Sequence, residues 1–347
     1  MNSADISKPR TVVNSGTLPV DKSYLEESID VVYTWADGTK PKFKEQFRTY
    51  WHDALSVPPE SISSQRFRNN DELRYSLRSL EAFAPWVGNI YIVTNGDIPN
   101  WLDTSHNLIS IITHDEIFLD KSYLPTFNSN AIELQLHRIP NLSRRFLYFN
   151  DDVFLGRAIS RDDFITESGG QYIYFQKNLL RSKADRGPVQ DRAYAYTQKV
   201  INMLWGKKRS RLLPAHVPQL YDKEILVYLE NMIPEEFQKT SSHRFRSADD
   251  LVLRVLYFFF LIESYKGDEI HETVTLNWGS NDYSFVTLKN DLLEAWKAFF
   301  HIRLSRPRFF CINDDLGDSD SCHLISATLR LFLRLYFPHP SSFEKRI

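Results

Sequence analysis

The chain has 347 residues, of which 42% are hydrophobic and 25% charged, and its formal net charge is −2. This length allows a large core and two or three domains. The near-neutral charge argues against non-specific nucleic-acid binding, so we expect no nucleic-acid partner. Two cysteines, Cys311 and Cys322, are too few to staple a secreted protein of this size, which favours a reducing, cytoplasmic location.

The N-terminal region contains no apolar segment of the signal-peptide kind, and we interpret residues 1–28 as a variable leader. The first strong strand signal is IDVVYTW at 29–35. It ends in a turn that contains Asp37 and Gly38, where a glycine lets the backbone approach a ligand closely. A simple strand-ending turn explains the same residues.

The segment RFRNNDELRYSLRSL at 66–80 predicts an amphipathic helix, because three leucines recur at i, i+4 and i+7. Asn70 or Asp71 stands where an N-cap belongs. Arg66 and Arg68 would form an anion site with the free N–H groups of the helix start. The acidic residues of the first turn are also explained as partners of the helix dipole.

Two further strands are predicted at 89–95 and 108–113, and each ends in polar residues, Asn95 among them. A helix capped by Ser129 and ended by Pro140 follows. The alternation of strands and helices predicts a Rossmann-like α/β domain. Neither a GxGxxG nor a P-loop motif is present.

The apolar run 146–149 stops abruptly at Asn150, Asp151 and Asp152, and apolar residues then resume. Adjacent carboxylates at the end of a buried strand repel one another and lose hydration, so a cation or hydrogen-bond donors must compensate them. One interpretation is a Mg²⁺ or Mn²⁺ site that holds the phosphates of a nucleotide. The other is a polar turn, since Asn and Asp are common turn formers.

The segment 181–211 has nine basic residues against two acids. A solvated insert is the default expectation for such a charge run, and an anionic polymer or a membrane surface is the functional alternative.

The second half is predicted to be largely helical. His216 lies in a rigid loop between two prolines, Arg246 precedes the apolar run 251–262, and RFFCINDD at 308–315 repeats the pattern of a short strand followed by acids. That apolar run is too short to span a bilayer. The strongly apolar segment 324–337 is explained either as a helix packed on the core or as a peripheral membrane helix, and core packing is the favoured alternative.

Four separated segments carry more information when they are taken together. They are IDVVYTWADG at 29–38, a long stretch at 66–156 that includes IYIVTNG, LPTFNSNAIE and YFNDDVFLG, the pair LPAHVP and PEEFQKTSSHRFRSADD at 213–218 and 234–250, and FFCINDD at 309–315. In this order they closely resemble the Stealth family of sugar-phosphate transferases. Its members include bacterial capsular-polysaccharide phosphotransferases and the animal enzyme that tags lysosomal glycans with N-acetylglucosamine 1-phosphate. The chain resembles the compact bacterial type, and departs from the family in having Ala36 for Val and Asn130 for His.

The resemblance implies an α/β fold in which a Rossmann-like or GT-A-like sheet domain is followed by a largely helical second half that completes the active site. The expected divisions are a leader at 1–28, a nucleotide-sugar and metal-binding core at 29–180, a basic insert or linker at 181–212, a helical part at 213–320, and an amphipathic helix and tail at 321–347.

The resemblance also implies transfer of a hexose 1-phosphate from a UDP-sugar to a glycan hydroxyl, with UMP as the leaving group. The expected catalytic residues are Asp152, His216, Arg246 and Asp314. The expected substrate-binding residues are Asp37, Gly38, Arg66, Arg68, Asn70, Asp71, Asn95, Asn128 and Asn313. The expected ligands of Mg²⁺ or Mn²⁺ are Asp151, Asp152 and Asp314. Whether Asp152 or His216 takes the proton stays open.

The partners implied are a UDP-sugar, a growing glycan polymer or primer, and capsule machinery at the inner face of the membrane. Two alternatives remain open. A metal-dependent glycosyltransferase would use the same acids after a strand, and a glycan-binding module would keep the fold without turnover.

Overall fold

The computed structural model describes residues 27–55, 57–181, 186–206, 209–264, 271–277, 279–317 and 320–345, so most of the predicted leader lies outside the described residues. The strands are β1 (Asp30–Thr34), β2 (Ile90–Thr94), β3 (Ile109–Thr113), β4 (Arg145–Asn150), β5 (Val153–Leu155), β6 (Gln171–Leu179), β7 (Leu212–Pro214), β8 (Gln219–Asp222), β9 (His271–Leu276), β10 (Tyr283–Leu288) and β11 (Phe309–Asp314). The helices are α1 (Pro41–Thr49), α2 (Trp51–Ala54), α3 (Glu72–Phe83), α4 (His114–Ile117), α5 (Ser129–Glu133), α6 (Val189–Trp205), α7 (Lys223–Met232), α8 (Pro234–Ser242), α9 (Leu253–Ser264), α10 (Leu292–Ser305) and α11 (Asp320–Tyr336).

The central sheet has the strand order β3-β2-β1-β4-β8. Its first four strands are parallel, and β8 runs antiparallel to β4. Strands β1 and β2 are continuous apolar runs that are buried along almost their whole length, as expected where both faces of a parallel sheet are covered. The order 3-2-1-4 is that of a Rossmann half-sheet. The predicted Rossmann-like α/β class is confirmed, and the carboxyl ends of these four strands lie at one edge.

A second sheet begins where the central sheet ends. The chain passes from β4 to β5 through Asp151 and Asp152 alone, and β5 pairs antiparallel with β11 in the order β10-β11-β5. The register sets Cys311 opposite Val153. Strands β10 and β11 are parallel, and α10 connects them. The carboxyl ends of both strands therefore point in the same direction. A third sheet has the order β7-β6-β9.

The second half of the chain is largely helical, as predicted. Within the range 181–212, expected as a basic insert or linker, α6 places Ala193, Val200 and Ile201 in the main hydrophobic core. Arg211 is only 2% exposed, and its Nε lies 2.7 Å from Oε1 of Glu263. A solvated insert therefore does not describe α6 or Arg211. Four charged residues of this run lie outside the described residues, namely Lys183, Asp185, Lys207 and Lys208.

The helix predicted from Ser129 is shorter than expected. It ends at Glu133, and a separate 3-10 turn covers Leu136–Arg138. The N-cap is Asn128, whose side-chain oxygen accepts a 3.0 Å hydrogen bond from the backbone N–H of Asn130. The apolar spacing identified the buried face but not the end of the α-helix, because Leu136 and Ile139 remain buried in and just after the 3-10 turn.

The C-terminal region packs on the core. Helix α11 buries Ile325, Leu329 and Leu333, as the core-packing interpretation expects. Beyond it, buried Glu344 accepts hydrogen bonds from Arg78 of α3, the shorter at 2.6 Å, which ties the tail to that helix. Among the described helices, none has the length and apolar character needed to cross a membrane.

Candidate active site

A cavity of about 240 Å³ lies at the edge where the parallel strands end. Each strand contributes the residues that follow it, and the second sheet contributes the end of β11. The predicted site residues that line this catalytic cavity are Arg66, Arg68, Asn95, Asp151, Asp152, His216, Arg246, Asn313 and Asp314. The fold thus brings together residues that are up to about 250 positions apart in the chain.

The pairing of β5 with β11 brings the two acidic segments together. The backbone N–H of Ile312 donates a 3.1 Å hydrogen bond to the carbonyl oxygen of Asp152. The Cys311 thiol lies 3.3 Å from Oδ2 of Asp152. The other carboxylate oxygen, Oδ1, is buried and makes no hydrogen bond with a described residue, although Nε2 of His216 lies 3.5 Å away. An acceptor of this kind is expected to receive a donor or a cation from a ligand.

Three acids crowd one side of the cavity. Burial, and then the negative charges of Asp152 and Glu72, raise the pKa of Asp151 well above its ordinary value. Burial also raises the pKa of Glu72 to about 7, although Asn70 donates hydrogen bonds to it. These carboxyl groups lack compensating charge, and a bound cation would supply it.

Two sets of residues could hold a metal ion, and they differ in the type of ligand atom that they offer. Among the described residues, the ligand atoms of Asp152, His216 and Cys311 lie within 4.8 Å of one another. A soft-metal site there would require a thiolate, whereas burial and the charge of Asp152 raise the pKa of Cys311 well above its ordinary value. The oxygens of Asp151 and Asp152 instead suit a hard divalent cation. We conclude that these two residues fit Mg²⁺ or Mn²⁺.

His216 is held between a carboxylate and a guanidinium. Its Nε2 lies 3.5 Å from Oδ1 of Asp152. Its Nδ1 lies 2.6 Å from Nη1 of Arg254, which projects from α9, and Arg254 also donates to the hydroxyl of Tyr194. Two neighbours from distant segments therefore fix the orientation of the imidazole ring.

Two arginines face the cavity without forming an ion pair among the described residues. Arg246 donates to the hydroxyl of Ser129 (2.6 Å) and to Gln190 (3.3 Å), and Arg66 donates to the carbonyl oxygen of Glu60. Burial, and then the charge of Arg246, lower the pKa of Arg66 to about 9. An anionic group between these guanidinium groups would compensate both their burial and their mutual repulsion.

Asp314, which is predicted as a catalytic residue and metal ligand, lines the cavity in an ion pair with Arg68. Both of its carboxylate oxygens lie 2.8 Å from Nη1 of Arg68, and one of them accepts the backbone N–H of Leu316. Buried Asn70 is 3.4 Å from the same carboxylate. Because these contacts occupy the Asp314 carboxylate, it anchors Arg68 at the cavity wall.

The remaining predicted substrate-binding residues lie outside the catalytic cavity. Asp37 is buried and accepts hydrogen bonds from Thr39 and Asn69, so it shapes the turn after β1. A Cβ at Gly38 would come within 2.7 Å of Phe67, so this glycine permits a close approach of protein to protein.

Asp71 and Asn128 also have structural roles. Asp71 has a left-handed backbone (φ 65°) at the start of α3. Asn128 is fully buried, and its side-chain nitrogen lies 2.9 Å from Asp250, so it is not available to a substrate. The prediction that Asn128 binds substrate is corrected here, because the capping and the buried network use both ends of its amide.

Arg254 was not predicted. It lies within the apolar run 251–262, and a single charged residue in a buried helix is uncommon unless it is paired. That rule could have identified it as a candidate. Glu72 was considered only as a dipole partner, and its approach to the cavity depends on the turn before α3.

The comparisons with known proteins were consistent along the chain. Stealth protein conserved regions 2, 3 and 4 match residues 66–173, 215–263 and 300–347. An exopolysaccharide phosphotransferase of Streptomyces coelicolor, SCO6023, is 35% identical over 92% of this chain and 52% of that protein. The Haemophilus influenzae capsular polysaccharide phosphotransferase fcs1 is 30% identical over 89% of this chain and 84% of that protein.

The chain spans about half the length of three Streptomyces coelicolor relatives that it matches, and 33% of a fourth. Among solved structures, the galactosyltransferase LgtC in complex with donor and acceptor sugar analogues is a distant likeness. Its identity is 11% and its TM-score 0.43, with 90% of this chain and 98% of that chain covered. The three matched regions and the relative that is aligned over most of both lengths lead to one conclusion: the chain belongs to the Stealth family.

Proposed function

We propose that the protein transfers a hexose 1-phosphate or N-acetylhexosamine 1-phosphate from a UDP-sugar to a hydroxyl of a glycan, in the synthesis of a capsular or extracellular polysaccharide. The observation that carries the proposal is the division of charge in one cavity. Asp151 and Asp152 line it with oxygen ligands, and Arg66 and Arg246 line it with guanidinium groups that form no ion pair with another described residue. A pyrophosphate needs both kinds of neighbour. The phosphotransferase names of the relatives support the same chemistry.

In the proposed reaction the acceptor oxygen forms a bond to the β-phosphorus. The bond between that phosphorus and the bridging oxygen of the pyrophosphate breaks, and UMP leaves with the electron pair. The anomeric C–O bond stays intact, so the sugar keeps its configuration and the product is a phosphodiester. Arg66 and Arg246 hold the oxygens around phosphorus, where negative charge is concentrated.

The proton of the acceptor hydroxyl goes to Asp152. Because a guanidinium only donates hydrogen bonds, Nδ1 of His216 must accept from Arg254, and the neutral ring then carries its proton on Nε2. That nitrogen faces Oδ1 of Asp152 as a donor. A base needs a free lone pair, which the carboxylate has and Nε2 of this tautomer lacks. His216 therefore orients Asp152 or donates to a phosphoryl oxygen.

Asp151 and Asp152 would hold Mg²⁺ or Mn²⁺. When bound, the cation neutralises the pyrophosphate and so favours departure of UMP. Ordinary glycosyl transfer is the second candidate, because acids that follow a strand suit a nucleotide-sugar pyrophosphate in that reaction as well.

The first prediction distinguishes these two reactions. With a UDP-sugar labelled at the β-phosphorus, we expect the label to enter the glycan, with one UMP formed for each transfer. Excess EDTA should stop turnover, and Mg²⁺ or Mn²⁺ should restore it. Label that remains in released UDP while unlabelled sugar extends the glycan would establish glycosyl transfer instead.

The second prediction concerns the base. Asp152→Asn should lower kcat by about 10²–10⁴-fold, because general-base catalysis contributes that much, and should leave the thermal melt close to wild type. Asp162→Asn, at an exposed aspartate outside the cavity, is the control and should keep its rate. A large fall in Tm with Asp152→Asn would mean that this carboxylate is structural.

The third prediction concerns the tautomer of His216. Long-range ¹H–¹⁵N correlation spectra of histidine-labelled protein should show Nε2 protonated and Nδ1 unprotonated in the neutral ring. The His216→Gln variant identifies the signal by its loss, and His52, which is exposed, serves as the internal reference. Protonation on Nδ1 would contradict the assignment of Asp152 as base.

We further infer peripheral attachment to the inner face of the membrane through α10 and α11. Seven of the fifteen large hydrophobic side chains that are exposed in the described part of the chain belong to this surface, which we call the α10–α11 face: Leu293, Trp296, Phe300, Leu304, Leu324, Leu331 and Leu335. Stacking of Phe299 on Phe332 at 4.6 Å holds the two helices together. Exposed Arg303 and Arg334 belong to the same helices, which suits an anionic bilayer.

The fourth prediction tests this attachment. The protein should co-sediment with vesicles that contain phosphatidylglycerol, and Phe300→Ser combined with Leu304→Ser should release most of it, because each buried side chain contributes about 1.5–3 kcal/mol. Leu119→Ser removes an equally exposed side chain elsewhere and should have no effect. Failure of the wild-type protein to bind would refute membrane attachment.

A further inference from the structure

A second cavity opens beside the catalytic cavity. We call it the outer groove, and its volume is about 670 Å³. It is lined by Gly38, Thr39, Phe43, Lys44, Phe47, Arg48, Ile62, Ser63, Ser64, Phe67, Arg68, Cys322 and His323. Phe43, Phe67 and Arg68 line both cavities, so these three residues form the wall between them. The two cavities are therefore adjacent across a wall one residue layer thick.

The described charged residues of the outer groove are basic, whereas several of those that line the catalytic cavity are acidic. Among the described residues that line the groove, none is acidic. Lys44 and Arg48 lie one helical turn apart on α1, both are exposed, and neither forms an ion pair with another described residue. Arg68 stands at the inner wall in its ion pair with Asp314, and exposed His323 lies opposite on α11. The groove therefore offers the positive charges of Lys44 and Arg48 along α1.

Its floor is aromatic. The ring centroids of Phe43 and Phe67 are 5.0 Å apart, and those of Phe47 and Phe67 are 5.7 Å apart. Phe47 and Phe67 remain partly exposed, so their rings are accessible from the groove. A ligand that combines apolar ring faces with spaced negative charges fits this surface better than a purely ionic one does.

We propose that the outer groove binds the acceptor, and that the acceptor it selects is an anionic glycan that carries phosphodiester groups. This inference rests on the proposed function. Each proposed transfer leaves one phosphodiester in the product, so a growing polymer carries a negative charge at every repeat. The acids of the catalytic cavity would repel such a polymer. The basic groove holds its charged body, and only the terminal hydroxyl crosses the wall at Arg68.

The experiment uses direct binding, which needs no turnover. The probe is a fluorescent oligosaccharide with three phosphodiester linkages, compared with a neutral oligosaccharide of the same sugars. Lys44→Ala combined with Arg48→Ala should raise the Kd of the charged probe by roughly 5- to 30-fold, since exposed charge contacts are individually modest. The Kd for the UDP-sugar should not change. Lys199→Ala, at an exposed lysine on α6, is the matched control.

Three results would overturn the inference. They are an unchanged Kd for the charged probe in the double variant, equal binding of the neutral oligosaccharide by the wild-type protein, or loss of UDP-sugar affinity in the double variant, which would assign the groove to the donor. Release from phosphatidylglycerol vesicles by the same double variant, without an effect on the probe, would assign it to lipid headgroups. Groove-dependent probe binding by a protein that turns over no UDP-sugar would leave this inference standing and refute the proposed function alone.

Discussion

The antiparallel pairing of β5 with β11 is the constraint on which the site depends. Two residues, Asp151 and Asp152, separate a strand of the central sheet from a strand of the second sheet. The turn therefore cannot relax away from the sheet edge, because both of its ends are fixed in hydrogen-bonded ladders. The register that sets Cys311 opposite Val153 also brings Asn313 to the same cavity. Two acidic segments, about 160 residues apart, are joined by backbone hydrogen bonds and by the contact of the Cys311 thiol with Asp152.

This arrangement concentrates charge that the protein does not fully neutralise. Asp151 and Glu72 have raised pKa values, whereas Arg66 and Arg246 have lowered ones, and burial is the first cause in every case. Uncompensated buried charge reduces the stability of a fold. A metal ion would neutralise the acids, and a pyrophosphate would neutralise the arginines, so the site suits a ligand that carries both kinds of charge. The apolar cores on both sides of the central sheet offset the loss of folding stability that this buried charge causes.

The sequence predicted the strand ends well and the side-chain partners poorly. Apolar runs that stop at acids identify Asp151 and Asp152 directly, because burial and the position of the turn are local properties. The pairing of Asp314 with Arg68 and the capping by Asn128 depend on which loops meet in space. Composition and spacing do not contain that information. Arg254 is an intermediate case, since its charge in an apolar helix marks it as unusual without naming its partner.

The network behind His216 explains why the second half of the chain is needed at all. Arg254 comes from the middle of a buried helix and holds the imidazole by its far nitrogen, while Glu133, from the first half, lowers the cost of burying that guanidinium. Burial, and then the charge of Glu133, raise the pKa of Tyr148 well above its ordinary value, and the Tyr148 hydroxyl lies 2.9 Å from that of Thr34 at the end of β1. Charged and polar groups of the central sheet, α5 and α9 are thus coupled electrostatically behind the imidazole that faces Asp152. Any movement of α9 relative to the sheet would rotate the imidazole away from Asp152. The geometry of the acidic site therefore depends on the packing of this apolar helix.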